Sequence, residues 1–242
     1  MISHLHADQL EKSYRQKRVV DGITIDVRSG EVVGLLGPNG AGKTTTFSLI
    51  LGLVPQDGGC IELDGEDITG APMYVRAQKG LCLLPQEASC FRRLTVEENL
   101  LAIMETRPAL AGSYDLLLAK ALCDFGLDKV AKSQAVTLSG GERRRLEIAR
   151  AMMTEPRFML LDEPFTGIDP LAIQDLQRII RGLKDSGLGI LITDHSVRET
   201  LKITDRAYII DRGTILAQGT PAEIVRSEDA RKSYLGEGFS LR

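Results

Sequence analysis

Glu31-Val32-Val33-Gly34-Leu35-Leu36-Gly37-Pro38-Asn39-Gly40-Ala41-Gly42-Lys43-Thr44-Thr45 is the stretch on which the fold turns. After the leading acid, its first residues are β-branched or aliphatic and do not alternate with polar ones, the pattern of a parallel strand buried on both faces. Gly37 to Thr44 then fit G-x-x-x-x-G-K-[ST], and a helix is expected from about Lys43. A strand, a glycine-rich turn and a helix form the context in which that pattern carries chemistry. The glycines let backbone N–H groups turn inward as an anion nest, and the helix start adds its positive end. Lys43 reaches the outer phosphates, and the Thr44 hydroxyl can take one Mg²⁺ position. Gly37, Asn39, Gly40, Gly42, Lys43, Thr44 and Thr45 are therefore candidate nucleotide-binding residues. The alternative, a glycine-rich turn that binds nothing, is disfavoured by the strand and helix on either side.

Outward from this stretch, the buried-strand signature returns at Gly80-Leu81-Cys82-Leu83-Leu84, Phe158-Met159-Leu160-Leu161 and Gly189-Ile190-Leu191-Ile192. Helical stretches follow the last two, and strands alternating with helices imply a parallel α/β sheet. Upstream, Ile23-Thr24-Ile25-Asp26-Val27 before a Ser29-Gly30 turn reads as a small antiparallel β region. Between Arg92 and Glu155 the composition shifts to helix formers. Leu118, Ala121, Leu122 and Phe125 make one apolar stripe there, so the block reads as an inserted helical subdomain. Thr220-Pro221-Ala222-Glu223 is a capping box with proline at the first helical position, which starts a last helix. The expected organisation is one domain over 1–242. Residues 1–91 and 156–220 form the β subdomain and α/β core, 92–155 the helical subdomain, and 221–242 a C-terminal helix and tail.

Composition narrows the function classes. The 242 residues are 43% apolar and 26% charged, as in an ordinary globular protein. With 30 Lys and Arg against 33 Asp and Glu, the net charge of -3 lacks the basic excess that nucleic-acid binding favours. Cys60, Cys82, Cys90 and Cys123 show no metal or redox spacing and read as reduced thiols of a cytosolic protein. The start Met1-Ile2-Ser3-His4-Leu5-His6 has no basic segment before an apolar one, so no leader is expected. No apolar run approaches the roughly 18 residues needed to span a bilayer, so direct membrane insertion is not expected.

A second cluster is Phe158-Met159-Leu160-Leu161-Asp162-Glu163-Pro164, an apolar strand ending in two adjacent acids. Ligands of such sheets bind at the carboxyl ends of the strands. Asp162 would face Mg²⁺ there, and Glu163 would polarise an attacking water. A loop acid capping the next helix is the plainer alternative. A third is Leu138-Ser139-Gly140-Gly141-Glu142, leading into Arg143-Arg144-Arg145-Leu146-Glu147-Ile148. Taken alone, Ser-Gly-Gly is no more than a good helix start with anion-binding potential.

Together the three motifs resemble those of ATP-binding-cassette ATPases, the nucleotide-binding subunits of ABC transporters, in family order from Tyr14 to at least Gly219. The resemblance implies a P-loop (RecA-like) core, ATP and Mg²⁺ as cofactors, and ATP hydrolysis. It also implies that Tyr14 stacks on adenine, Gln86 contacts Mg²⁺ or the lytic water, and His195 holds the γ-phosphate. Asp169 would face the opposite subunit. Tyr14 merely packing on the β subdomain, and His195 as a satisfied core residue, are the plainer alternatives. In the family the signature of one subunit completes its neighbour's site, so Ser139, Gly140, Gly141 and Glu142 would act on a partner's nucleotide in a homodimer. Glu142 departs from the usual glutamine, and an acid in the first turn suits the helix dipole. His4 and His6 have no evident partner in the opening strand and receive no role.

Within the family, Leu84-Pro85-Gln86-Glu87-Ala88-Ser89, Phe91-Arg92-Arg93-Leu94, Asp162-Glu163-Pro164-Phe165 and Tyr234-Leu235-Gly236-Glu237 resemble the ATPases of lipopolysaccharide exporters. That resemblance implies work at the cytoplasmic face of a bacterial inner membrane with two transmembrane subunits. Phe91 and Arg92 would belong to a socket for those subunits, although Phe91 packed inside the helical subdomain is the alternative. A branched-chain amino-acid importer ATPase is a rival reading. A nucleotide-binding module without turnover is another, and Lys43, Glu163 and His195 speak against it.

Overall fold

A computed structural model of the chain describes residues 2–107 and 112–241. Strand β3 (Val32–Leu36), buried at every residue, is the axis of a six-stranded sheet. It pairs in parallel with β8 (Gly189–Thr193) on one side and β9 (Arg206–Asp211) on the other. Parallel pairing continues through β7 (Phe158–Asp162) to β6 (Leu81–Leu84), and only β10 (Thr214–Gly219) runs antiparallel, on the opposite edge. The continuous apolar runs seen in the sequence are these strands, which helices cover on both faces.

The antiparallel region is larger than its sequence signature. Strands β1 (His4–Tyr14) and β2 (Lys17–Arg28) form a hairpin, and β4 (Gly58–Leu63) and β5 (Glu66–Asp67) extend it from beyond the phosphate loop. Neither later strand carries a clear alternating signature, since β4 opens on two glycines and β5 is only two acidic residues. Helix α1 (Lys43–Leu51) lies between the two sheets, and Phe47, Leu49 and Ile50 join residues from both in one hydrophobic cluster. Helix α2 (Met73–Gln78) leads from there into β6.

The block between β6 and β7 carries α3 (Val96–Met104), α4 (Tyr114–Asp124) and α5 (Gly140–Met152). Thr95 and Glu98 close a capping box that starts α3. The expected stripe on α4 faces inward, with Ala121 and Phe125 buried and Leu118 and Leu122 partly so. These helices share one apolar cluster with β7, β8 and α6 (Pro170–Asp185), so they are seated on the core. Helix α7 (Val197–Leu201) follows β8. Thr220 caps α8 (Pro221–Arg226) as the sequence predicts, but the terminal helix is broken. Ser227 is extended and its hydroxyl caps a second short turn, α9 (Glu228–Ala230). All four cysteines are free thiols.

Candidate nucleotide site

The candidate residues gather where the parallel strands end. The phosphate loop follows β3, Glu163 follows β7, His195 follows β8 and Gln86 follows β6. This is the carboxyl edge at which doubly wound sheets bind ligands. Two glycines of the loop are fixed by close approach. A Cβ on Gly37 would lie 2.1 Å from the Ile210 carbonyl oxygen, and one on Gly42 would lie 2.6 Å from that of Val19. Gly42, at φ 109°, starts α1 with no side-chain cap. Lys43 is buried and donates to the carbonyls of Gly37 (2.8 Å) and Pro38 (3.0 Å). Burial lowers its pKa, and the charges of Glu163 and Asp162 oppose that shift. Asn39, Gly40 and Thr44 are exposed on the loop and Thr45 is half-buried. Tyr14, at the end of β1, is 46% exposed, with the Lys12 ammonium 5.7 Å from its ring centroid.

Glu163 is clasped from both sides. Its Oε1 lies 2.6 Å from His195 Nε2, and its Oε2 accepts from Gln86 Nε2 at 2.7 Å and from the Thr166 hydroxyl at 3.2 Å. Its backbone is left-handed at φ 47°, a strained state for a non-glycine residue, and its N–H donates to the Thr193 carbonyl at 2.7 Å. The strain aims the carboxylate into a cleft of 150 Å³ that Gln86, Gly140 and Gly167 also line. Asp162 beside it has its pKa raised, first by burial and then by the Glu163 charge. Thr44, Asp162 and Gln86 offer hydroxyl, carboxylate and amide oxygens, a hard-donor set that fits Mg²⁺.

The signature segment begins α5 with a complete capping box. Ser139 Oγ accepts from the Glu142 N–H at 3.3 Å, while Glu142 Oε2 accepts from the Ser139 N–H at 2.9 Å and its hydroxyl at 2.7 Å. These bonds, the hydroxyl's first, hold the Glu142 carboxyl below its ordinary value. Ser139 and Gly140 are exposed, and Gly141 is packed so that a Cβ would meet that of Ala172 at 2.7 Å. Asp169 is exposed and caps α6, accepting from the N–H groups of Leu171 (3.1 Å) and Ala172 (3.0 Å).

Several supporting residues were not singled out from the sequence. Arg144 is buried and donates to the carbonyls of Pro85 (2.8 Å) and Asp162 (3.2 Å) and to Glu147 (3.0 Å). Glu147 in turn accepts from the Ser89 N–H at 2.8 Å. Opposite charges three residues apart on one helix were the available signal. Asp194, fully buried, accepts from the N–H groups of Phe165 (2.8 Å) and Ser196 (2.7 Å), pinning the turns that carry Glu163 and His195. His4 and His6, left without partners by the sequence reading, both reach Asp26.

With this geometry in view, comparison with known proteins is direct. Residues 20–166 match the ABC transporter family. The chain belongs to that family. Relatives within the ABC family include an uncharacterised ABC transporter ATP-binding protein of Rhizobium meliloti, 55% identical over 98% of this chain and 88% of that one. The lipopolysaccharide export ATP-binding protein LptB of Escherichia coli K12 is 51% identical over 99% of this chain and all of its own length. LptB of Haemophilus influenzae is 52% identical over the same shares. Residues 214–240 also match a branched-chain amino acid ATP-binding cassette transporter family. Among solved structures, an ABC transporter cassette in its ADP conformation superposes with a TM-score of 0.86 at 28% identity, covering 97% of this chain and 99% of that one. The ABC fold and ATP-hydrolysing class expected from the sequence are thereby established.

Proposed function

We propose that this chain powers the extraction and export of lipopolysaccharide, acting as a homodimer on the cytoplasmic face of a bacterial inner membrane beneath two transmembrane subunits. The observation that carries this reading is end-to-end identity above half with LptB proteins, the ATP-binding proteins of lipopolysaccharide export systems. Among the described residues no helix is long and apolar enough to cross a membrane, so partners must supply the passage.

In hydrolysis, a water held beside Glu163 attacks the γ-phosphorus of ATP and the bond to the β–γ bridging oxygen breaks. Glu163 takes the water's proton and later yields it to solvent, leaving ADP and phosphate. Gln86 and His195 hold the carboxylate between them, and His195 faces the γ-phosphate. Lys43 and the loop N–H groups bind the phosphates, while Tyr14 stacks on the adenine. Thr44, Asp162 and Gln86 would hold Mg²⁺, which supplies charge neutralisation when bound. Exposed Ser139 and Gly140, with Gly141 and Glu142, reach the partner subunit's nucleotide, and Asp169 borders the same seam. Phe91 and Arg92 anchor a transmembrane subunit. Phe91 is 48% exposed with the Arg150 guanidinium 4.7 Å from its ring, and buried Asn99 frames its loop by bonds to its N–H and carbonyl. Such aromatic and arginine pairs are common interface anchors.

Reconstitution with the candidate membrane pair tests the reading: ATP-dependent release of lipopolysaccharide from proteoliposomes is expected. The branched-chain importer reading has the match at residues 214–240 in its favour, but the identity with LptB proteins runs through that segment as well. ATP-driven leucine uptake by the native complex, with no lipid release, would transfer the assignment to it.

A further inference from the structure

Three side chains with metal-binding chemistry meet on the antiparallel sheet. His4 and His6 are two residues apart on β1 and so project from the same face. The β1–β2 register sets Asp26 directly opposite His6. His4 Nε2 and His6 Nδ1 lie 2.7 and 2.8 Å from the same Asp26 Oδ1, and the three potential ligand atoms all fall within 4.8 Å of one another. None of the three contributes to the nucleotide site described above.

We propose that His4, His6 and Asp26 form a second cation site, specific for a divalent transition metal and best matched to Zn²⁺. Two imidazole nitrogens and one carboxylate oxygen would bind the ion, with a remaining position for water. The donor set decides the class of ion. Mg²⁺ and Ca²⁺ take oxygen donors, whereas imidazole pairs select zinc, copper or nickel. In a tetrahedral zinc site with ligand bonds of about 2.0–2.1 Å, neighbouring ligand atoms stand roughly 3.3 Å apart. The two nitrogen–oxygen pairs need to open by only about half an ångström, and the partly exposed rings have room to do so. The support behind the ligands is already built. The Asp26 backbone is held by the Tyr208 hydroxyl and by Arg206, whose guanidinium is in turn paired with Glu31. Arg28 stands opposite His4 on β2 and Glu62 opposite His6 on β4, so one flanking charge of each sign borders the site. The ion would cross-link the first two strands of the sheet whose far end carries Tyr14.

The test titrates the full, chelator-treated chain with Zn²⁺ in excess Mg²⁺, which competes for the oxygen donors around Asp162. One Zn²⁺ per chain is expected, and the melting temperature should rise with its concentration. His4→Ala or His6→Ala should each weaken binding at least tenfold, and the double variant should lose both the binding and the thermal shift. Its Mg-ATPase without Zn²⁺ should match the wild type. Co²⁺ in place of Zn²⁺ should give visible d–d bands that the double variant lacks. Asp26→Asn keeps the side chain's size and provides a second reading should the histidine changes disturb the sheet, with tenfold weaker binding expected. No saturable Zn²⁺ binding, or equal binding in wild type and these variants, would overturn the site.

Discussion

The chain has two glycine-rich helix starts among its candidate nucleotide residues, and they are built in opposite ways. Gly42 begins α1 with no side-chain cap, so the first N–H groups of that helix have no competing side-chain acceptor. Ser139 begins α5 with its hydroxyl and N–H both bonded to Glu142. The first start is open to the nucleotide that we propose its own chain binds. The second is self-satisfied and must share or release its serine to engage a ligand from elsewhere. This difference suits the composite site proposed above, since a signature turn that waits for a partner needs a stable resting state.

Four measurements can break or sharpen that contrast. The largest effect belongs to Glu163→Gln, which leaves both helix starts intact and removes the base. Turnover should fall about 10²–10⁴-fold with ATP affinity retained, so dimers closed on ATP accumulate. Wild-type turnover would show that the clasped carboxylate is not the base. Next, Gly42→Ala forces a Cβ onto the Val19 carbonyl and should weaken ATP binding by the single chain more than tenfold, about 1.4 kcal/mol. Gly141→Ala, which presses on Ala172, should spare that binding and lower turnover only. Equal affinity losses in the two variants would erase the distinction between own-chain and partner-chain sites. Third, heterodimers of Lys43→Ala and Ser139→Ala chains should recover part of the activity that each homodimer lacks, because both lesions then fall on one composite site. Failure in dimers shown to form would count against head-to-tail pairing.

The smallest effect is that of Glu142→Gln. A glutamine can still accept from the serine but loses the charge at the helix start, a change of roughly 0.3–1 kcal/mol. The depressed pKa of Glu142 sets the sign. Its contribution is complete above the ordinary glutamate value of 4.5 and is lost as pH falls through the lower folded value. Melting temperatures of wild type and Glu142→Gln should therefore differ near neutral pH and converge in acid. A gap that persists in acid would mean the charge is not the cause.

The parts of this molecule that were legible in the sequence are those whose logic is local. The phosphate loop sits inside one strand–turn–helix, and the Thr220 cap spans four residues, so each could be read without a partner. Glu142 was also locally legible, since Ser139-x-x-Glu142 is the same pattern as Thr220-x-x-Glu223. In the structure the acid serves the cap as well as the helix dipole. The opaque features depend on pairing. Asp26 meets His4 and His6 only through the β1–β2 register. Asp194 gains its role only where the turn after β7 folds against it, and Arg144 is set apart from its two neighbouring arginines only by the approach of the Pro85 and Asp162 carbonyls.

That last arrangement has a mechanical consequence. Arg144 and Glu147 project from the signature helix, yet they grip the main chain at Pro85, Ser89 and Asp162, on the segments that carry Gln86 and Glu163. In the head-to-tail pair proposed above, the front of α5 would touch the neighbour's ATP, while its next turn holds the main chain around Gln86 and Glu163 of its own. In the proposed pair, a displacement at one nucleotide would then reach the other through a single turn of helix, and the two hydrolysis events would be coupled.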